Sequence, residues 1–479
     1  MISELRLEKF QGFGLEADAS LKPLTLIYGA NASGKSSIIR ALLFAKQSLP
    51  KETHSLLKYS GFDGFVFEGE FVSLASFANA VYKHNENESI SLGLSLRENQ
   101  ISRPIRNSLI NLIERVDLDW CIDSTAQFRD LRISFKFKSF EAPLSIDFNR
   151  RDGRLLVKEI KGSAEKLPDL NKLLSNGVRR RNSNSKAPEN QSSTEFPYIQ
   201  TFEARQFSKT RFLILGNLPR IELVSDSGGP SIDFNSQPEH ELLNELVQAA
   251  RWLLNENLSE VLHIKPLRDI DHRFTYEGEG QHNDFDVLNY PSDESIDLIS
   301  QWIAELTQGR YRFKAITYVA EEVKYIGKLR SLILLDTVTE TQVSFRDVGV
   351  GLSQIKPILE GLVLAQNSKK SMMLIEQPEL HLHPKMQGDL AELLARFVTN
   401  NSSVQIIAET HSEAMLLRLQ KLMRDGLLDP KNVQILFTSS QHEVEQPGNC
   451  VSEIGLNPEN DFDFDLPISF TELRYKDLI

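Results

Sequence analysis

The sequence has little of what marks secreted, membrane-spanning or DNA-coating proteins. It holds two cysteines in 479 residues, Cys121 and Cys450, which excludes a disulfide scaffold and favours a reducing compartment. It has no run of about 18 apolar residues and no basic-then-apolar signal layout at its start. The net charge of −12 argues against non-specific coating of DNA, which grows with phosphate neutralisation. We therefore expect a soluble, cytoplasmic protein that makes no contact with membranes.

Apolar periodicity predicts an α/β protein. Strands are expected where residues alternate or form short apolar runs, and helices where apolar residues recur every three to four positions. Strands are predicted at 1–10, 24–28, 133–140, 155–160, 371–375, 404–408 and 433–437, and helices at 37–47, 239–257, 386–397 and 415–423. The phenylalanine-rich stretch 64–98 predicts several short strands. Alternation of strands and helices in the last third indicates a parallel sheet.

A glycine loop stands between the second predicted strand and the first predicted helix. Residues 29–36 read Gly-Ala-Asn-Ala-Ser-Gly-Lys-Ser and fit the pattern G-x-x-x-x-G-K-[ST]. Such glycines let backbone amides converge on phosphate oxygens, while the lysine offers a positive charge and the serine hydroxyl a Mg²⁺ ligand. The candidate nucleotide-binding residues are Asn31, Gly34, Lys35, Ser36 and Ser37.

A second group of candidate residues follows the predicted strand 371–375. Glu376 comes directly after it, at the strand end where ligands of parallel sheets bind, and is expected to face Mg²⁺. The next position, where a general base would stand, holds Gln377, which can orient water but cannot take its proton. Glu379 is the nearest other carboxylate. A metal cluster is left as an alternative, made of Glu376, Glu379, His381 and His383.

Two shorter motifs are weak when taken alone. The segment 347–354 carries glycines, including Gly351, and Ser353 at a predicted helix start, which suits either an anion site or a packing turn. His411 follows the strand at 404–408, where a histidine can hydrogen-bond a γ-phosphate or cap the next helix.

In this order, the motifs resemble those of the ABC-type ATPases of the RecF, SMC and OLD group. The resemblance covers about 1–98 and 259–479, with 29–36 similar to Walker A, 347–354 to the signature motif and 372–377 to Walker B. His411 resembles the switch histidine. The Glu-Gln-Pro-Glu-Leu-His-Leu-His-Pro segment is similar to ATPase subunits of bacterial anti-phage systems of the PARIS or Septu kind.

The resemblance implies an ABC-ATPase head: a P-loop parallel sheet with an antiparallel β subdomain. It implies ATP and Mg²⁺ as cofactors, with Ser36 and Glu376 at the metal, and a catalytic group of Glu376, Gln377, Glu379 and His411. Gly351 and Ser353 of one chain would close over the nucleotide held by Lys35 of another, so ATP would favour a homodimer or a larger oligomer. Because Gln377 stands where the base is expected, we expect slow hydrolysis and a long-lived ATP-bound dimer.

The chain is expected to have three parts. These are the first half of the head at 1–98, an insertion at 99–258, and the second half of the head at 259–479. SMC-like relatives have a coiled coil in the middle, but the glycines, prolines and alternating segments here predict a compact α+β insertion. Residues 179–195 are expected to form a mobile loop, and its arginines are either a contact for nucleic acid or a partner, or a solvated charge run.

The expected function is that of an ATP-dependent switch or scaffold in an anti-phage defence complex. It would hold or activate a separate nuclease or toxin, with a phage protein as a candidate trigger. The alternative is a RecF- or SMC-type repair ATPase that binds DNA directly, which the net charge of −12 does not favour.

Overall fold

The computed structural model describes most of both end regions and parts of the middle of the chain. The described residues are 1–49, 64–97, 110–138, 140–151, 154–161, 211–215, 218–222, 238–266, 275–276, 292–318, 329–345, 347–368, 371–439 and 450–455. They divide into two compact units. We call them the β unit (within 1–20, 40–259 and 440–450) and the α/β unit (within 21–39, 260–439 and 451–479). The 179–195 segment lies outside the described residues.

The strands and helices follow one another along the chain within these ranges. The strands are β1 (Ile2–Glu8), β2 (Ala17–Ser20), β3 (Leu24–Gly29), β4 (Ile90–Arg97), β5 (Ile113–Ile122), β6 (Phe128–Phe137), β7 (Phe140–Arg151), β8 (Arg154–Lys161), β9 (Arg211–Leu215), β10 (Leu218–Glu222), β11 (Val261–Ile264), β12 (Thr275–Tyr276), β13 (Tyr311–Tyr318), β14 (Leu329–Asp336), β15 (Thr341–Ser344), β16 (Ser371–Glu376), β17 (Val404–Glu409), β18 (Val433–Thr438) and β19 (Val451–Glu453). The helices are α1 (Lys35–Gln47), α2 (Phe77–Ala80), α3 (Pro238–Leu258), α4 (Asp293–Leu306), α5 (Val350–Ser368), α6 (Pro384–Asn400) and α7 (Glu413–Arg424).

The β unit is built on a nine-stranded antiparallel sheet in the order β10-β9-β8-β7-β6-β5-β4-β1-β2. Strand β5 alternates buried and partly exposed residues, with Val116, Leu118 and Trp120 turned to the core. Such period-two patterning buries one face of an antiparallel sheet. The predicted boundary at 98–99 lies between β4 and β5, which pair from Ile90 with Ile122 to Arg97 with Arg115. That boundary therefore does not separate two sheets, and the three-part division of the chain stays a prediction.

The prediction of several short strands at 64–98 is confirmed only at its end, where Ile90–Arg97 forms β4; the other elements among its described residues are α2 and a short 3₁₀ turn. Phe65 and Phe67 pack on Phe44 of α1, with ring centroids 5.1 and 4.9 Å apart. The backbone N–H of Val72 donates to the side chain of Gln47 instead of to a neighbouring strand. The alternating aromatics here mark contact with a helix, and part of the segment's backbone is satisfied by side chains at the helix end instead of by a strand ladder.

The α/β unit is built on a six-stranded sheet in the order β11-β16-β17-β3-β18-β19. The first five strands are mutually parallel, and β19 joins the edge antiparallel. Strands β17 and β18 are buried along their whole length, as expected of a parallel sheet covered on both faces. A smaller antiparallel sheet is formed by β12, β14, β13 and β15.

These two units confirm the predicted α/β class, with a P-loop parallel sheet and a separate antiparallel sheet. The described part of 99–258 forms β5 to β10 and α3, as expected of an α+β segment in place of a coiled coil. Within the ranges given above, none of the helices has the length and apolar content needed to cross a membrane.

Candidate functional site

The glycine loop connects β3 to α1 as predicted, and its first glycine is required by its surroundings. Gly29 has φ +149°, and a Cβ at this position would lie 2.3 Å from Thr438 Oγ1 and 2.5 Å from Ser33 Oγ. Gly34, directly before the helix, has φ +102°. Both glycines therefore adopt backbone conformations that side chains disfavour, which lets the loop close tightly over the start of α1.

Lys35 is the first residue of α1 and is turned into the loop. Its Nζ donates hydrogen bonds to the carbonyl oxygens of Gly29 (2.9 Å) and Ala30 (2.7 Å), and the residue is 4% exposed. Burial lowers the pKa of the Lys35 ammonium, while the carboxylates of Glu409 and Glu379 act to raise it. A buried ammonium held by neutral carbonyls gains a stronger partner from a phosphate, because charge-assisted hydrogen bonds are roughly twice as strong as neutral ones. The loop therefore fits a phosphate chain.

Ser36 contacts a carboxylate of the sheet. Its hydroxyl donates to Glu409 Oε2 at 2.7 Å. Glu409 is the last residue of β17, which lies directly beside β3 in the sheet and pairs its Glu409 with Ile27. The contact joins two hard oxygen ligands of the type that Mg²⁺ prefers, so the residues present fit a Mg²⁺-bound nucleotide.

Glu376 ends β16, one strand further from the loop. Its Oε1 lies 2.7 Å from Nε2 of His263 on β11. The side chains of Glu376 and His263 are 19% and 11% exposed. Gln377 follows with φ +47°, and its N–H donates to the Glu409 carbonyl at 2.8 Å. The register pairs Glu376 with Glu409, so two carboxylates end adjacent parallel strands.

The charge of Glu379 acts to raise the pKa of both Lys35 and His411. Its Oε1 accepts a hydrogen bond from the His411 backbone N–H at 2.7 Å. Its Oε2 is buried and accepts no hydrogen bond within the described part of the chain. Burial, and next the charge of Lys35, lower the pKa of His411, whereas Glu379 acts to raise it. Lys35, Glu379 and His411 are thus close enough to influence one another's charge.

The segment at 347–354 opens α5 as predicted. The Ser353 hydroxyl donates to the Val350 carbonyl at 2.7 Å, and Ser353 is 4% exposed. A Cβ on Gly351 would lie 2.7 Å from the His381 carbonyl, so this glycine permits close packing against the loop after Glu379. Val350 is 54% exposed.

The remaining predicted residues lie around the loop. Asn31 is exposed and Ser37 is buried, with its N–H bonded to the Gly34 carbonyl. The alternative metal cluster of Glu376, Glu379, His381 and His383 is not supported, because the described residues contain no group of three or more metal-ligating side chains. His383 instead caps α6, where its ring accepts a hydrogen bond from the Lys385 N–H.

Sequence reasoning did not select Glu409 or His263 as site residues. The signal for Glu409 is its position: it directly follows an apolar strand, as Glu376 does. His263 carries no comparable signal, because its role follows from the pairing of β11 with β16.

The chain has matches among domain families and among solved structures. Among solved structures, an SMC head bound to the C-terminal winged-helix domain of ScpA is 12% identical (95% of this chain, 98% of that chain, TM-score 0.42). A ScpA-bound SMC head with an extended coiled coil, from Pyrococcus furiosus, is 11% identical (100% and 99%, TM-score 0.41). The SMC head from Thermotoga maritima is also 11% identical (95% and 99%, TM-score 0.38). No curated protein matches the sequence. The model of a family described as an AAA ATPase domain matches residues 1–416, and the chain belongs to this family.

Proposed function

We propose that the chain binds Mg·ATP at the 29–36 loop and acts as a slowly hydrolysing switch or scaffold in an anti-phage defence complex. One observation carries the nucleotide part: the buried Lys35 ammonium is held by the Gly29 and Ala30 carbonyls at the start of α1, beside the Ser36–Glu409 contact. A bound nucleotide would offer phosphate oxygens to Lys35, to the loop amides and to the positive end of the helix.

Slow hydrolysis follows from the residue after Glu376. A general base must accept a proton from the attacking water, and the Gln377 amide can only orient it. Glu379 is the carboxylate left to substitute, with one oxygen bonded to the His411 N–H. In this proposal Ser36 and a carboxylate at the end of a neighbouring strand bind the Mg²⁺, and His411 contacts the γ-phosphate.

The switch is proposed to act through dimerisation. Gly351 and Ser353 at the start of α5 would bind the nucleotide held by Lys35 of a second chain. A ligand shared between two chains favours the dimer by mass action. A dimer that hydrolyses slowly would persist, and a separate nuclease or toxin is proposed as the partner that it holds or activates. The support for this last step is the similarity of the 376–384 segment to ATPase subunits of defence systems.

The test of the proposed function is the turnover of Gln377→Glu. A carboxylate at this position restores a proton acceptor, and general-base catalysis is worth about 10²–10⁴-fold. We expect steady-state phosphate release from Mg·ATP to rise by roughly 10-fold or more over wild type. Gln301→Glu on the exposed side of α4 makes the same charge change away from the site and should leave turnover unchanged. Fast wild-type turnover, or no gain in Gln377→Glu, would contradict the proposal.

A further inference from the structure

Two acidic residues end adjacent parallel strands near the glycine loop. The two strands differ in their position relative to β3. Glu376 on β16 and Glu409 on β17 are paired in register. Of these two strands, β17 lies directly next to β3, the strand that leads into the loop, and β16 lies one strand further away. The order of the strands therefore brings Glu409 closer to the loop than Glu376 along the edge of the sheet.

One hydrogen bond of each carboxylate agrees with this strand order. Glu409 is 6% exposed and accepts the Ser36 hydroxyl at Oε2, whereas Glu376 meets the His263 ring at 2.7 Å. A carboxylate this buried needs a hydrogen-bonded or ionic partner, because desolvation of an isolated charge is costly.

The spacing of the Ser36–Glu409 pair suits one small cation. Mg²⁺ binds oxygen at about 2.0–2.1 Å in an octahedron, so two adjacent ligand oxygens are about 2.9 Å apart. The Ser36 hydroxyl oxygen and Glu409 Oε2 are 2.7 Å apart, an ordinary hydrogen-bond distance that is also compatible with both oxygens binding one cation. Since Mg²⁺ keeps several waters and uses few protein ligands, two such oxygens suffice beside phosphate.

We propose that Glu409, together with Ser36, binds the Mg²⁺ that accompanies the nucleotide. Glu376, on the neighbouring strand and in contact with His263, contributes less to binding this cation. This assignment rests on the proposed function, because the cation it describes is the one bound with ATP. It makes the Ala-Glu-Thr-His segment at 408–411 a source of both a metal ligand and the phosphate-facing histidine.

The experiment compares ATP affinity with and without the cation in the full-length chain. A fluorescent ATP analogue is titrated in EDTA and in Mg²⁺, and Mn²⁺ bound with ATP is counted by electron paramagnetic resonance. Glu409→Gln keeps the shape of the side chain and an oxygen that can accept from Ser36. Glu376→Gln is the matched variant on the next strand, and Glu392→Gln removes a carboxylate that pairs with Arg418 instead.

The expected result is a selective loss of the metal effect. Glu409→Gln should retain the wild-type affinity in EDTA and lose about 10-fold or more of the gain that Mg²⁺ provides, with weaker Mn²⁺ binding. Glu376→Gln should lose less, and Glu392→Gln should match wild type.

Three outcomes would overturn the assignment. An unchanged Mg²⁺ gain in Glu409→Gln would overturn it alone, with nucleotide binding intact. An equal loss in EDTA and in Mg²⁺ would show that Glu409 supports the loop and not the metal. A wild-type chain that bound no ATP under either condition would overturn the proposed function and this assignment together.

Discussion

Besides burial, the positive charge of Lys35 lowers the pKa of the His411 side chain. Burial lowers the pKa of both groups, and Lys35 adds to the effect on His411. With a pKa below its ordinary 6.5, His411 is neutral at physiological pH, so one ring nitrogen donates and the other accepts. As the pH falls, His411 is protonated in the unfolded chain at a higher pH than in the folded chain. The free energy of unfolding therefore decreases as the pH drops below about 6.5. A neutral imidazole can donate a hydrogen bond to a phosphate oxygen while Lys35 supplies the charge.

We predict that Lys35→Met raises the pKa of His411, because the substitution removes a nearby positive charge and leaves Glu379 in place. The measurement is an NMR titration of the histidine ring resonances, assigned with His411→Gln. Lys385→Met, an exposed lysine at the start of α6, is the matched control and should leave the His411 titration unchanged. A His411 pKa that did not respond to Lys35→Met would show that the two groups are not close.

Residues of the site differ in how far the sequence predicts them. Lys35 and Ser36 belong to a contiguous loop whose chemistry depends on local spacing, so their positions at the start of α1 follow from the motif. The contact of Ser36 with Glu409 does not, because it requires β17 to lie between β3 and β16. Two apolar strands ending in glutamate look alike in a sequence, and the contact of Ser36 with Glu409 depends on the order of those strands in the sheet.

At the scale of elements, local periodicity predicts helices and buried strands well. The predicted helix 239–257 is α3 at Pro238–Leu258, and the apolar run 404–408 is β17. Phe65 and Phe67 are an exception. Their alternation is the same as in a strand, but side chains at the end of α1, Gln47 and the following Ser48, bond to the backbone of Val66 and Val72.

The start of α5 presents an exposed apolar residue next to the glycines of the signature-like segment. Val350 is 54% exposed, whereas Ser353 one turn later is buried. The proposed dimer places this helix start against the triphosphate of a second chain. A negative charge here would favour the helix, through its dipole, and oppose the phosphates.

We predict that Val350→Glu prevents ATP-dependent dimerisation without unfolding the chain. Light scattering after gel filtration in Mg·ATP should give about twice the 54.4 kDa of one chain for wild type, and the mass of one chain for the variant. Leu427→Glu, at a residue that is 72% exposed after α7, is the control and should still dimerise. A wild-type chain that stayed monomeric with ATP bound, or a Val350→Glu chain that dimerised normally, would contradict the proposed switch.

At the scale of the whole molecule, the middle of the chain was the hardest part to predict. Its strands β5 to β10 extend a sheet that begins with β1, β2 and β4. A separate insertion is expected because a long stretch without motifs separates the two halves of the motif set. The pairing of β5 with β4 could not be predicted, because pairing between distant strands leaves no periodic signal in the sequence. The sequence predicts the alternation in β6, through the segment 133–140, but not the neighbours with which this strand pairs.

The defence role is also a prediction about the whole molecule. Cells that carry the chain with its neighbouring reading frames should resist a sensitive phage, and Lys35→Ala should abolish the protection because the switch needs bound nucleotide. The measurement is the efficiency of plating, with Leu427→Glu as a control that keeps protection. Equal protection by Lys35→Ala and wild type would rule out a nucleotide-dependent role in defence.

The most direct test of the account is calorimetric titration of the purified chain with Mg·ATP. We expect about one nucleotide to bind per chain in wild type. We expect Lys35→Ala, shown by circular dichroism to be folded, to lose this binding because the ammonium held at Gly29 and Ala30 is gone. A wild-type chain that binds no nucleotide at millimolar Mg·ATP, or a Lys35→Ala chain that binds as wild type does, would contradict it.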